Sequence, residues 1–190
     1  MIRSLFINKE ALEKGAVRPQ AVEDQSEKKV GVIGAGMMGA GISLVSALAG
    51  IEVVLIDSNQ EAADRGKAYT TAYMDKGISR KKATEEKKEQ VLALINATTD
   101  YAALEGFDLI VEAVFEDVGV KADVTKKVQA VVGDDCIFAT NTSTLPITEL
   151  AKASNDEEQF IGIHFFSPVD KMLLVEIIKG AKTGDRAVAK

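Results

Sequence analysis

The chain is poor in the residues that build disulfide and metal centres. It holds one cysteine and one histidine in 190 residues. A single cysteine excludes an internal disulfide, and one cysteine with one histidine excludes a zinc site of the usual His/Cys type. Cys136 lies inside the apolar run CIFAT, the setting of a buried, inert thiol. Tryptophan is absent and aromatics make up only 5%. No apolar run approaches a membrane span, and SLFI after Arg3 is too short for a signal-peptide core. No membrane insertion and a cytoplasmic location are the expectation. Positive charge is also in deficit: 23 Lys and Arg against 29 Asp and Glu leave a net charge of -6. Broad electrostatic attraction to nucleic acid or anionic membrane is therefore not expected. An anionic ligand needs local help from a helix terminus or a few basic side chains.

What remains is an ordinary globular composition, 46% hydrophobic and 27% charged, enough for one domain with a full core. Residues 1–28 differ from the rest. They are polar and mixed in charge, with Gly15 and Pro19 as breakers, and read as a linker or lead-in.

The densest information lies in KVGVIGAGMMGAG, residues 29–41, followed by IEVVLID ending at Asp57. A short apolar run reads as a buried strand. Gly34, Gly36 and Gly39 then form G-x-G-x-x-G, and an apolar helical pattern begins with Met37 and Met38. A second β-rich run ends in an acid. Strand, glycine turn, helix, strand and acid is the order of a dinucleotide-binding unit. Gly34 permits the tight turn, Gly36 lets backbone approach a pyrophosphate, and Gly39 lets helix and strand pack closely. The helix start offers unpaired N–H groups and partial positive charge to phosphates. A carboxylate at Asp57 suits a ribose diol and repels a 2′-phosphate, favouring NAD over NADP; capping of the next helix by Asp57 or Ser58 is the plainer alternative.

Beyond this unit the pattern keeps alternating. Strands are expected at 30–33, 52–56, 97–99, 107–114, 136–140, 160–165 and 173–178. Helices are expected at 38–49, 59–76, 80–95, 117–132 and 147–153, with Gly77 as the break inside the long polar pair. The prediction is an α/β fold: a Rossmann-type, doubly wound, mainly parallel sheet with an inserted long helical hairpin. Lys76, Arg80, Lys81 and Lys82 cluster near that break. They are either a basic spot for phosphates or a solvated face.

Three further segments carry candidate chemistry. ATNTST follows a predicted strand, where open α/β sheets bind ligands, so Asn141, Ser143 and Thr144 can face cofactor or substrate or simply form a capping turn. His164 ends another strand and is the sole side chain that ordinarily titrates near neutrality. Glu176 interrupts the apolar run LLVEII. A carboxylate buried there needs a partner, and a neighbouring His164 would supply one. Glu112 and Glu116 in IVEAVFED either face the crevice or cap the next helix.

Taken together, VGVIGAGMMGAGI, IDSN, LIVEAVFED with Lys121, ATNTSTLPI and IGIHFFSPVDKMLLVEII resemble the NAD-dependent L-3-hydroxyacyl-CoA dehydrogenases of fatty-acid β-oxidation. The resemblance spans about residues 29–180 and is strongest to the dehydrogenase part of bacterial multifunctional enzymes. SLFINKEALEKG looks like the connector that follows their hydratase domain. The resemblance implies His164 as catalytic base, Glu176 as its carboxylate partner, and Ser143 on the substrate 3-oxygen. It implies Asp57 on the adenosine ribose, and Glu116 and Lys121 near the nicotinamide. Asn141 joins the glycine-loop residues as a cofactor contact. Ser167 stands where single-function relatives commonly have Asn, and is taken as a substrate contact.

The implied cofactor is NAD and the implied substrate an acyl-CoA. The implied domain plan is a lead-in over 1–28, the NAD-binding domain over 29–182, and over 183–190 the start of a connection to a C-terminal helical domain. The parent polypeptide is expected in a complex with a thiolase subunit, and the fragment is expected to self-associate. Two alternatives stay open: an NAD-binding module with little or no turnover, and a β-hydroxyacid dehydrogenase of other substrate.

Overall fold

A computed structural model describes residues 10, 11, 15, 16, 18, 19, 21, 22 and 27–190. The lead-in expected over residues 1–28 lies largely outside the described residues. Seven strands form one sheet in the order β3-β2-β1-β4-β5-β6-β7. They are β1 (Lys29–Ile33), β2 (Glu52–Ile56), β3 (Ile95–Thr98), β4 (Leu109–Glu112), β5 (Ile137–Thr140), β6 (Phe160–Phe165) and β7 (Val175–Ile178). All neighbours run parallel except β6 and β7, which are antiparallel. The order reverses beside β1, and the crevice at the carboxyl ends of β1 and β4 is where this topology binds ligands.

The helices are α1 (Met37–Leu48), α2 (Gln60–Ser79), α3 (Glu85–Ala93), α4 (Val118–Gln129), α5 (Ile147–Ala151) and α6 (Asp185–Ala189). Alternate residues of each strand feed two cores, because successive side chains point to opposite faces. On one face Val30, Val32 and Leu55 meet Ile42 and Ala47 of α1, Met74 of α2, Val91 of α3 and Ala187 of α6. On the other Ile33, Val54, Ile110 and Phe138 meet Val124 and Val128 of α4 and Ile147 and Leu150 of α5. Among the described residues no helix is long and apolar enough to cross a membrane.

The hairpin differs from the sequence expectation. Gly77 does not break the helix; α2 runs through it to Ser79. One glycine costs a helix only about 1 kcal/mol relative to alanine. The reversal comes later, where Lys81 takes a left-handed φ of 58° and Thr84 caps α3 by accepting from the Lys87 amide. Gly77 has a different use. A Cβ there would stand 3.2 Å from the Ala83 Cβ, so glycine lets the returning chain pass close. Lys76, Arg80, Lys81 and Lys82 are exposed around that turn. Ile95, read as the end of a helix, opens β3 instead.

The expectation of a buried β7 is also corrected. Val175 is half-buried, while Glu176, Ile177 and Ile178 are exposed, because β7 is the edge strand. Leu173 and Leu174 just before it are 92% and 57% exposed. Glu176 is therefore not a buried acid in need of rescue.

In the second core Phe138 stacks on Phe160, with ring centroids 5.3 Å apart and both residues about 1% exposed. Phe138→Ala should lower unfolding free energy in urea by about 3–5 kcal/mol, and a loss below about 1 kcal/mol would show that this core collapses freely around the gap.

Candidate active site

The glycine turn is held by contacts that only glycine allows. Gly34 has φ 97°, and a Cβ there would meet the Ala113 carbonyl oxygen at 2.6 Å. At Gly39 a Cβ would lie 1.7 Å from the Gly34 carbonyl oxygen. Gly36 is different: nothing stands within 4 Å of its missing Cβ. The space that glycine leaves is open toward the crevice. Gly36 is also the N-cap of α1, with no side-chain cap and no acid in the first turn. The first intrahelical bond is Ala40 N to Gly36 O, so the amides of Met37, Met38 and Gly39 have no intrahelical acceptor. An uncapped, unneutralised helix start beside a vacated Cβ position fits a pyrophosphate.

Asp57 closes this unit. Its Oδ2 accepts from the Ala35 amide at 2.6 Å, and its Oδ1 from the Ser58 amide at 2.6 Å. The carboxylate thus ties the end of β2 to the glycine turn. It does not cap α2; Asn59 does, accepting from the Ala62 amide at 2.9 Å. The two methionines divide. Met38 packs its side chain against the core, whereas Met37 is 69% exposed. The Ser167 hydroxyl donates to the Met37 sulfur at 3.7 Å, which brings the loop after β6 to the mouth of the glycine turn. That loop is seated on α1 where Gly41 makes room for Val169.

Across the crevice lies a relay. The antiparallel register sets His164 opposite Glu176. His164 Nδ1 and Glu176 Oε2 are 2.8 Å apart. A carboxylate only accepts, so the ring proton sits on Nδ1 and the Nε2 lone pair is left free. Nε2 faces the Ser143 hydroxyl at 3.2 Å. The histidine side chain is 18% exposed and the glutamate 50%. The pairing was expected from burial of the acid, yet the antiparallel register of β6 and β7 produces it. Asn141 contributes from behind. Its Oδ1 accepts from the Phe165 amide at 2.9 Å and fixes the end of the strand that carries His164.

A buried charge cluster underlies both halves. Lys121 on α4 and Glu112 on β4 are 2% and 1% exposed, and the ammonium meets the two carboxylate oxygens at 2.9 and 3.1 Å. Thr140 donates to Glu112 at 2.6 Å, and so does the Val114 amide at 2.7 Å. Glu116 lies 3.4 Å from the same ammonium. Neither carboxylate caps α4, which is capped by Asp117 accepting from the Val120 amide. Partial burial disfavours the Glu116 anion. Bonds from Thr142, Thr144 and Ser143 and the Lys121 charge outweigh it and hold the carboxyl at about 2. The stability this contributes is present above the ordinary carboxylate range and is lost as pH falls toward about 2. Cys136 is 6% exposed and pushed up to about 12, chiefly by burial and then by the Asp108 charge, so it is inert.

Sequence reasoning singled out Lys121 but left Glu112 unassigned. The signal was present. Lys121, Val124, Thr125 and Val128 share the buried stripe of α4, and a lysine on such a stripe requires a buried acid.

A phosphate-ready helix start facing a serine–histidine–carboxylate relay across one crevice defines a nucleotide-dependent dehydrogenase domain. Residues 29–190 match the family model described as 3-hydroxyacyl-CoA dehydrogenase, NAD binding domain, and the chain belongs to that family. It is 41% identical over 184 residues to a fatty acid oxidation complex subunit alpha of Idiomarina loihiensis, covering 97% of this chain and 26% of that protein. Among solved structures it resembles the (S)-3-hydroxybutyryl-CoA dehydrogenase of Ralstonia eutropha, with 39% identity and TM-score 0.83 over 86% of this chain and 58% of that one. The Escherichia coli 3-hydroxybutyryl-CoA dehydrogenase is 35% identical, with TM-score 0.82 over 86% of this chain and 35% of that one. The chain thus spans only part of the length of each of these relatives. Its cofactor is NAD.

Two outcomes test the site's construction. Gly36→Val should fold normally yet weaken NAD binding at least about tenfold, measured by calorimetry, because its side chain would fill the open space beside the α1 start. Unchanged affinity would move the pyrophosphate elsewhere. Lys121→Met should cost about 3–5 kcal/mol in chemical denaturation by stranding Glu112, and adding Glu112→Gln should restore part of that loss.

Proposed function

We propose that this chain is the cofactor-binding part of an enzyme that oxidises (S)-3-hydroxyacyl-CoA to 3-oxoacyl-CoA. The observation that carries the reading is the relay: Nε2 of His164, fixed by Glu176, faces Ser143 beside the phosphate cradle. His164 Nε2 takes the proton of the substrate hydroxyl. Glu176 holds the Nδ1 proton and stabilises the imidazolium that forms. Ser143 donates its hydroxyl to the 3-oxygen as the carbonyl develops. NAD, when bound, accepts the hydride from C3. Asp57 is assigned to the adenosine ribose, with Gly34, Gly36, Met37, Met38 and Gly39 forming the pyrophosphate turn. Glu116, Lys121 and Asn141 are assigned to the nicotinamide end, and Ser167 to the substrate side.

The exposed run Met172, Leu173, Leu174 beside Glu176 supports a cleft completed by a further helical domain beyond residues 183–190 of this plan. The same patch is where isolated copies would associate. The named relative's membership of a fatty acid oxidation complex supports a cytoplasmic multifunctional setting. A thiolase subunit suits it, because a 3-oxoacyl thioester is what thiolytic cleavage consumes. A second reading draws on the half-exposed Glu176: the chain alone binds NAD and turns over poorly.

The test is NADH-dependent reduction of acetoacetyl-CoA. His164→Ala should lower kcat by about 10²–10⁴-fold with NADH affinity intact. Turnover surviving in His164→Ala would remove the relay and favour a dehydrogenase with another base. NAD binding with no turnover in the unaltered chain would favour the second reading.

A further inference from the structure

We propose that Met37 is a site of reversible oxidation by peroxide, and that its sulfoxide weakens NAD binding. This stands apart from the dehydrogenase reading and needs only a pyrophosphate at the start of α1, the placement that Gly36→Val tests. The methionines are unequally placed. Met74 is 2% exposed and Met38 packs against the first core, whereas Met37 is 69% exposed and Met172 43%. Peroxide must reach a thioether to oxidise it, so Met37 is the first target among the described residues. Met37 is also the first residue of α1, in a turn with no side-chain cap and no acid. The thiol that would compete is out of reach. Cys136 is the one cysteine, buried, and pushed up to about 12.

The oxidant is hydrogen peroxide. A lone pair of the Met37 sulfur attacks one peroxide oxygen, and the S–O bond forms as the O–O bond breaks. The departing hydroxide takes the proton left on the transferred oxygen and leaves as water. Sulfur loses two electrons and peroxide gains them. The product alters the mouth of the crevice in two ways. Its oxygen carries partial negative charge at a helix start that favours anions, so it opposes the phosphates that the free amides attract. It is also a stronger acceptor than a thioether, and a donor is already aimed at this sulfur. The Ser167 hydroxyl stands 3.7 Å from Sδ. Val169, seated over Gly41, holds the loop that carries Ser167 against the same helix. Ser167 therefore keeps the new oxygen beside the glycine turn instead of releasing it to solvent.

The test treats the unaltered chain, Met37→Leu and Met172→Leu with dilute hydrogen peroxide. Peptide mass mapping reads which methionines gain one oxygen. Calorimetry reads the NAD affinity of each protein before and after treatment. Met37 should gain oxygen well before Met74. As it does, the NAD affinity of the unaltered chain should fall about tenfold, within reach of a charge interaction at a helix terminus. Met172→Leu should show the same fall. In Met37→Leu the affinity after treatment should equal its own affinity before treatment, whatever that starting value is. Methionine sulfoxide reductases acting on both epimers should return the oxidised unaltered chain to its first affinity. Full conversion of Met37 with NAD affinity unchanged would overturn the proposal. So would an equal fall in Met37→Leu, since the effect would then lie on another residue. Oxidation of Met74 ahead of Met37 would remove its premise of access. If Gly36→Val leaves NAD affinity unchanged, the pyrophosphate is not at the α1 start and the proposal falls, while the relay of His164, Glu176 and Ser143 is untouched.

Discussion

The arrangement of the crevice depends on keeping one positive charge out of water. Lys121 is 2% exposed, and an unpaired ammonium so buried would cost several kcal/mol. Its solvation is replaced by groups from three elements. Glu112 comes from β4, Thr140 reaches Glu112 from β5, and Glu116 comes from the segment that leads into α4. None of these can shift without exposing or orphaning a charge. The ion cluster fixes the ends of β4, β5 and α4 relative to one another, and those ends line the crevice.

The glycines impose the complementary constraint on the other half of the site. Gly34 and Gly39 bring β1, α1 and the end of β4 to distances no side chain would tolerate. Gly41 admits Val169, so the loop following His164 sits on the same helix whose uncapped start faces the crevice. Cofactor and relay are thereby referenced to α1 from its two sides. A helix start with no cap of its own would be a weakness in a purely structural element. Here it leaves an acidic protein one helix start with free amides and no acid in its first turn.

Much of this was legible in the chain. The glycine turn and the alternation of strands and helices read directly, because each rests on local sterics or short-range periodicity. His164 and Glu176 were paired correctly for an incorrect reason. The acid was expected to be buried, whereas β7 is an edge strand and Glu176 is half-exposed. Burial depends on what covers a strand, which the strand's own residues do not encode. The helical hairpin shows the same limit. Gly77 looked like a break, but α2 tolerates one glycine, and the end was decided by the left-handed Lys81 and the Thr84 cap. The hydrogen-bond partners of Glu116 were beyond sequence reach, since they lie 26 to 28 residues away on another turn.

The β6–β7 pair also bears on how the site comes into being. His164 and Glu176 are 12 residues apart in an antiparallel pair, a contact that closes over a short loop. Ser143 reaches His164 only after β5 and β6 have paired in parallel, with Phe138 beside Phe160 and a helical crossover between them. Short antiparallel closures come at lower entropic cost than parallel crossovers. The imidazole's contact with its carboxylate therefore closes at lower entropic cost than its contact with the serine.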